Sequence, residues 1–167
     1  MNPRWFTLIN ALGFQACWFA CVLGGSLWGL IAVLLFLSVH LRLAKQKEWW
    51  LIAAIVVIGS SADTVFYHLG WLGFPGHEGN IIPAWLFLLW VAFSATLLHS
   101  LSFFFQRPLW IAGVSALAAP VSYFAGSSLG ALSVSGTGLV AIALFWAGLM
   151  GGGSWLASYF QVTPQRG

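Results

Sequence analysis

Long apolar stretches alternate with short polar breaks along the chain, and their lengths predict membrane-spanning helices. A span needs about 20 mostly apolar residues, and breaks such as "GGS", "AKQKE", "GFPGHEGN" and "QRP" separate six such stretches. The predicted helices are Trp5–Leu23, Leu27–Leu43, Trp49–Leu72, Pro83–Phe105, Leu109–Gly126 and Leu139–Phe160. We therefore expect an all-α polytopic membrane protein, a bundle of six transmembrane helices that forms one domain over residues 1–167.

The basic residues give this six-helix arrangement a direction. With six spans, every lysine and arginine falls on one side of the membrane: Arg4, Arg42, Lys45, Lys47, Arg107 and Arg166. Loops rich in Lys and Arg stay in the cytoplasm. The sequence therefore predicts that both termini are cytoplasmic.

The composition agrees with lipid as the solvent of this chain. Hydrophobic residues make up 60% of it and charged residues 5%, with a mean hydropathy of +0.93, whereas soluble domains carry about a quarter charged residues. The net charge of +3 comes from scattered residues, which argues against nucleic acid as a partner. Membrane lipid is the expected partner. Cys17 and Cys21 lie four residues apart in one span and are expected to be packing residues.

One carboxylic acid lies within a predicted span, in the stretch "IVVIGSSADTVFYHLGW". At 1.5 Å per residue, Asp63 lies about 21 Å from Trp49, and Tyr123 reaches a similar depth. Gln15 is near the middle of the first helix. A charge facing lipid costs several kcal/mol, so we expect Asp63 to face the bundle interior as a neutral acid. Its expected partners are Tyr123, Gln15 or a backbone carbonyl. Asp63 is then either a clamp between helices or a functional acid.

Further polar residues lie toward the cytoplasmic half, and they have the same two interpretations. His99 with Ser100 could act in acid/base chemistry or only pack, and Asn10 and His40 share this half of the membrane. No sequence motif supports a role for His40 and His99 as axial haem ligands. No lysine lies within a span, so a retinal Schiff base is excluded, and three acidic residues cannot form a multi-carboxylate metal centre. No cofactor or metal is predicted.

Small residues at helical spacing allow close helix packing. The pairs Gly126–Gly130 and Gly148–Gly152 have the GxxxG spacing. We interpret them as packing sites within the bundle, or as a face for a second copy or another membrane subunit.

Four segments together resemble a known family: "NALGFQACWFACVLGG", "ADTVFYHLG", "PAWLFLLWVAFSATLLHSL" and "APVSYFAGSSLGAL". They occur in the order typical of the bacterial family of small polytopic membrane proteins catalogued as domain of unknown function 2878. The resemblance covers Asn10 to Leu132. It departs at one point, because this chain has Ala118, Ala119 and Pro120 where the family often has GGP. It implies a bacterial inner-membrane protein and brings no established activity. The positions it marks are Asn10, Gln15, Asp63, His99, Ser100 and Tyr123.

Three functions stay open at this point. The first is a membrane-embedded site for an apolar, lipid-like or isoprenoid-like molecule, in which Asp63, His99 and Tyr123 act as proton donor, acid/base or polar anchor and Asn10, Gln15 and Ser100 bind. The second is a small transporter with a proton or solute path through Asp63 and His99. The third is a non-catalytic subunit or assembly factor. Whether the protein is an enzyme is left open. The shape around Asp63 distinguishes the three functions.

Overall fold

The computed structural model describes residues 3–42, 49–97 and 107–159. Five helices and two short strands occur within these residues. They are α1 (Pro3–Leu41), α2 (Trp49–His68), β1 (Leu72–Gly73), α3 (Ala84–Leu97), α4 (Pro108–Ser128), β2 (Ser133–Val134) and α5 (Gly136–Tyr159). The all-α class is confirmed. The number of helices is not, because the first two predicted helices form the single element α1.

A single glycine accounts for this difference. Gly25 lies inside α1 with φ 66° and ψ −156°, so the helical backbone is interrupted there. The halves of α1 then lie against each other. A Cβ added to Gly13 would be 2.7 Å from the Phe36 ring, and one added to Gly29 would be 2.8 Å from the Cys21 sulfur. The chain thus reverses at the predicted place, without the loop residues that would separate two helices.

Four segments are long and apolar enough to cross a membrane. They are Thr7–His40, Trp49–His68, Pro108–Ser128 and Gly136–Leu156. Helix α3 is a shorter apolar helix, Ala84–Leu97, within the described residues. These lengths and compositions are those of a membrane protein.

Helices α2 and α4 end in the same way, and both end with a glycine in the left-handed region. In α2, Gly70 has φ 69°, its N–H donates to the Tyr67 carbonyl, and Trp71 N–H donates to the Phe66 carbonyl. This Schellman motif includes the expected contact between the Phe66 and Trp71 rings, 5.6 Å apart. It ends α2 at His68, four residues before the predicted Leu72.

The same turn follows α4. Gly130 has φ 80°, its N–H donates to the Ser127 carbonyl, and Ala131 N–H donates to the Gly126 carbonyl. The predicted GxxxG pair Gly126–Gly130 is therefore not a helix-packing motif, because Gly130 lies in the turn. Gly148 and Gly152 have open space beside them, and it is Gly151 that packs closely, against Ala112 of α4.

The two turns lead into strands that pair with each other. Strands β1 and β2 are antiparallel, with Leu72 opposite Val134 and Gly73 opposite Ser133. Ser135 continues the contact, since its N–H donates to the Trp71 carbonyl and its hydroxyl accepts from Gly138 N–H at the start of α5. The C-terminal ends of α2 and α4 therefore lie at the same end of the bundle. Along the bundle, α3 packs against α1 and α2, and α4 packs against α5.

Replacing Gly25 by alanine is expected to destabilise the protein. Its backbone angles are accessible almost only to glycine, and another residue held there costs of order 1–3 kcal/mol. Gly113→Ala is the matched control, because Gly113 lies within α4 with open space around it, where alanine is the better helix former. Thermal unfolding in detergent should show a lower midpoint for Gly25→Ala and an equal or higher one for Gly113→Ala. Equal midpoints for the two variants would contradict the reversal at Gly25.

Candidate functional site

Asp63 lies inside the protein, hydrogen-bonded to side chains from two other helices. Only 1% of its surface is exposed. Trp90 Nε1 of α3 donates to Oδ2 at 2.7 Å. The Tyr123 hydroxyl of α4 donates to the same carboxyl and lies 2.8 Å from both of its oxygens. One carboxyl thus joins α2, α3 and α4, and we call Asp63, Trp90 and Tyr123 the polar triad.

The position of Trp90 depends on a glycine one turn before Asp63. Gly59 of α2 faces the Trp90 ring so closely that a Cβ there would overlap it. On α5, Trp146 stacks on Trp90, with ring centroids 5.0 Å apart and an angle of 16° between the planes. Phe93 meets Trp146 edge-on at 4.7 Å. The indole of Trp90 is therefore fixed by a hydrogen bond at its N–H and by contacts on its ring.

A cavity of about 410 Å³ lies beside the triad. Its walls come from α1, α3, α4 and α5, and both Trp90 and Tyr123 line it, whereas Asp63 does not. The acid is therefore behind the wall of the cavity, and two of its hydrogen-bond partners form part of that wall. Among the residues that the structure describes, no Asp, Glu, Lys or Arg side chain lines the cavity.

The cavity opens sideways, between α1 and α4. Its exposed lining residues are Ala11 and Gln15 on α1 and Val114 and Ala118 on α4. All four lie at least six residues from the ends of their helices. The two helices do not pack along their length. A hydrogen bond crosses the gap, from Trp18 Nε1 to the Ser122 hydroxyl at 2.9 Å.

Two hydroxyls in the cavity wall are already paired with the backbone. Ser115 donates to the carbonyls of Ala112 and Trp146, at 3.0 and 3.1 Å. Thr96 donates to the Phe93 carbonyl. Their polarity is thus satisfied within the protein. Among the described lining residues, the polar groups left for a ligand include Gln15 and Ser122 at the opening and, in the wall, the buried Trp146 Nε1, which has no hydrogen-bond partner.

The predicted site residues are distributed over several places. Asp63 and Tyr123 are brought together directly. Gln15, the alternative partner that the sequence suggested for Asp63, is exposed at the cavity opening instead, and Tyr123 and Trp90 are the partners of the carboxyl. Asn10 is 2% exposed and lines a second cavity of about 350 Å³, between the halves of α1, together with His40. His99 and Ser100 lie outside the described residues.

His40 is 2% exposed, with its ring stacked on Phe36. In the described ranges, no group of three or more His, Cys, Asp or Glu residues lies close enough to hold a metal. Cys17 and Cys21 are free and buried, as expected for packing residues.

Sequence reasoning missed the tryptophans of the site. Trp18, Trp90 and Trp146 lie far from the helix ends, where interfacial belts of tryptophan form. A tryptophan in the middle of a span has an N–H that needs an acceptor. For Trp90 the acceptor is Asp63, and for Trp18 it is Ser122. That requirement is a signal that could have linked Trp90 to the one intramembrane carboxyl.

The family known as protein of unknown function (DUF2878) matches residues 7–152. The chain belongs to this family. The match contains α2, α3 and α4, most of α1 and α5, and all members of the polar triad, and it confirms the resemblance carried by the four sequence segments. No curated protein sequence and no solved structure matches the chain.

Two variants of Asp63 distinguish the effect on stability of losing the carboxyl from the effect of losing a hydrogen-bond acceptor. Asp63→Leu leaves the Trp90 N–H and the Tyr123 hydroxyl unpaired, at about 1–3 kcal/mol for each buried group. Asp63→Asn keeps an oxygen for Trp90 and an N–H₂ that can pair with the Tyr123 oxygen, so its loss should stay within about 1.5 kcal/mol. The midpoint of thermal unfolding in detergent measures the loss of stability in each of the two variants.

Ser61→Leu is the matched control for that pair, because Ser61 is exposed on the same helix. Its unfolding midpoint should equal that of the unmodified protein. An Asp63→Leu midpoint equal to that of Ser61→Leu would show that the triad contributes little to the fold.

Proposed function

We propose that this DUF2878 protein holds an apolar, lipid-like or isoprenoid-like molecule within the bacterial inner membrane. The observation that carries the proposal is the sideways cavity between α1 and α4, lined almost entirely by apolar side chains. Ligand sites of this kind combine an apolar wall with a few polar groups that set orientation. An opening on the side of membrane helices admits a ligand from lipid, whereas a solute path would need polar walls.

The polar groups at the opening suit the polar end of such a molecule. Gln15 is exposed there, and the Ser122 hydroxyl, which accepts from Trp18, still has its own O–H to donate. An amide in hydrocarbon without a partner is unfavourable. A ligand with a hydroxyl or carbonyl at one end would pair with Gln15 while its apolar body fills the cavity.

Asp63 has a positioning role in this proposal. Its oxygens accept from Trp90 and Tyr123, and those two side chains lie between it and the cavity. Asp63 would fix the cavity wall and not contact the ligand. Tyr123 is the triad member that has an ionisable group and also lines the cavity, so it is the group through which any acid/base step would pass. Both oxygens of Asp63 are hydrogen-bonded within the protein, which also suits a carboxyl that only holds helices together. Our second candidate is therefore a non-catalytic subunit or assembly factor.

We also propose six membrane crossings with both termini in the cytoplasm. A straight helix over the 34 residues Thr7–His40 would be about 51 Å long, well beyond the roughly 30 Å of a bilayer core. The reversal at Gly25 divides it into two lengths that fit. The pairing of β1 with β2 supports the same direction, since it puts the C-terminal ends of α2 and α4 on one side. Arg107 directly precedes the opposite, N-terminal end of α4, and Arg42 directly follows the end of α1.

Filling the cavity opening should exclude the ligand. Ala118→Phe puts a ring into the opening, and overfilling a site costs roughly 1–3 kcal/mol, or about five- to hundredfold weaker binding. Val121→Phe is the matched control, because Val121 is 66% exposed on the same helix and does not line the cavity. Mass spectrometry of the small molecules that copurify with each variant measures occupancy. A ligand retained equally by all three proteins, or absent from all three, would refute the proposal.

Labelling of single cysteines in intact cells tests the topology. Glu78→Cys should react with a membrane-impermeant maleimide from outside, and Lys47→Cys only after the cells are permeabilised. The unmodified protein is the control, since its own cysteines are buried. The reverse labelling pattern would overturn the cytoplasmic placement of the termini.

A further inference from the structure

Aromatic side chains are concentrated in the wall of the cavity. Seven of its twenty lining residues are aromatic, whereas aromatic residues make up 17% of the chain. Four of the seven are tryptophans, from three different helices: Trp18, Trp85, Trp90 and Trp146. Aromatic residues are therefore enriched in the described lining of the cavity relative to the whole chain.

The aromatic rings in the wall are held in fixed orientations. Trp90 is fixed by Asp63, and Trp146 stacks on it in near-parallel planes. Phe93 meets both indoles edge-on, with centroids 5.9 Å from Trp90 and 4.7 Å from Trp146. Flexible saturated chains need no such planes and are accommodated by adaptable side chains such as Leu and Met. Fixed rings favour a ligand that is itself flat, because aromatic surfaces gain from offset-stacked and edge-on contacts beyond the area they bury.

The charge of the wall restricts the ligand further. In the described part of the chain the lining has no Asp, Glu, Lys or Arg, and the carboxyl of Asp63 accepts hydrogen bonds from Trp90 and Tyr123. A charged ligand body would have no partner there and would be costly to bury. The volume of about 410 Å³ lies in the range of small-molecule sites.

We infer that the preferred ligand of this cavity is a neutral molecule with a planar, conjugated body, in preference to a saturated or unconjugated chain. The inference rests on the proposed function and specifies its ligand class. A conjugated polyene stays flat along its length and presents a π surface to the indoles. An isoprenoid chain with isolated double bonds has the same apolar character and length but no such flat surface.

The test compares two isoprenoid alcohols with equal numbers of carbon atoms, retinol and geranylgeraniol, of which only retinol is conjugated. The protein is reconstituted in phospholipid nanodiscs, and energy transfer from tryptophan to retinol is titrated, with empty nanodiscs as the blank. Geranylgeraniol then competes. Retinol should bind saturably, and geranylgeraniol should bind roughly two- to tenfold more weakly, the advantage that aromatic contacts give.

A pair of variants on α5 provides the control. Trp146→Leu keeps the cavity apolar but removes the stacked indole, and it should reduce the preference for retinol. Trp155→Leu removes a tryptophan that is 57% exposed and does not line the cavity, and it should leave the preference unchanged. Because the comparison uses the ratio of two affinities, a general loss of stability does not imitate the expected result.

Equal affinity for the two alcohols, or an unchanged preference in Trp146→Leu, would overturn the inference and leave the proposed function standing. Absence of saturable retinol binding would also overturn it. The proposed function is judged separately by copurification: it fails if the unmodified protein, Ala118→Phe and Val121→Phe retain a ligand equally or all lack one, whatever the result with retinol.

Discussion

The carboxyl of Asp63 is the point on which the arrangement of three helices depends. Two donors from different helices converge on it, the Trp90 N–H and the Tyr123 O–H. An indole N–H can only donate, so the partner supplied by α2 must be an acceptor. A carboxyl offers two oxygens in a small group, which an amide or a hydroxyl does not. This gives a structural reason for an acid at a depth where a charge would be expensive.

The triad also determines how the aromatic side chains in the cavity wall are oriented. Because Asp63 fixes Trp90, and Trp90 supports Trp146, a polar interaction sets the orientation of an apolar wall. Gly59 completes the arrangement, since any side chain there would displace the indole. The polar residues of the membrane interior and the apolar binding surface are thus parts of one structure, and a change at Asp63 is transmitted to the cavity through tryptophan.

Much of the fold follows from local sequence signals, and most of the site does not. The Gly-rich and Pro-rich breaks separate the helices at about the right positions, and the depth estimate correctly paired Asp63 with Tyr123, because helix rise is regular. The helix count was wrong because a reversal at one glycine leaves α1 as a single element. Gln15 was misplaced, and Trp90 missed, because depth along a helix does not specify which face a residue occupies. The sideways opening depends on α1 and α4 not packing together, which is a property of the whole bundle.

The paired ends of α2 and α4 have a consequence for how molecules enter and leave. At that end of the bundle α4 is tied to α2 by the β1–β2 pair, and deeper in the bundle by Tyr123 and Asp63. Across the opening, α4 is joined to α1 by the Trp18–Ser122 hydrogen bond. A molecule that enters between α1 and α4 therefore separates two helices that share little packing, while α4 keeps its ties to α2 at two levels.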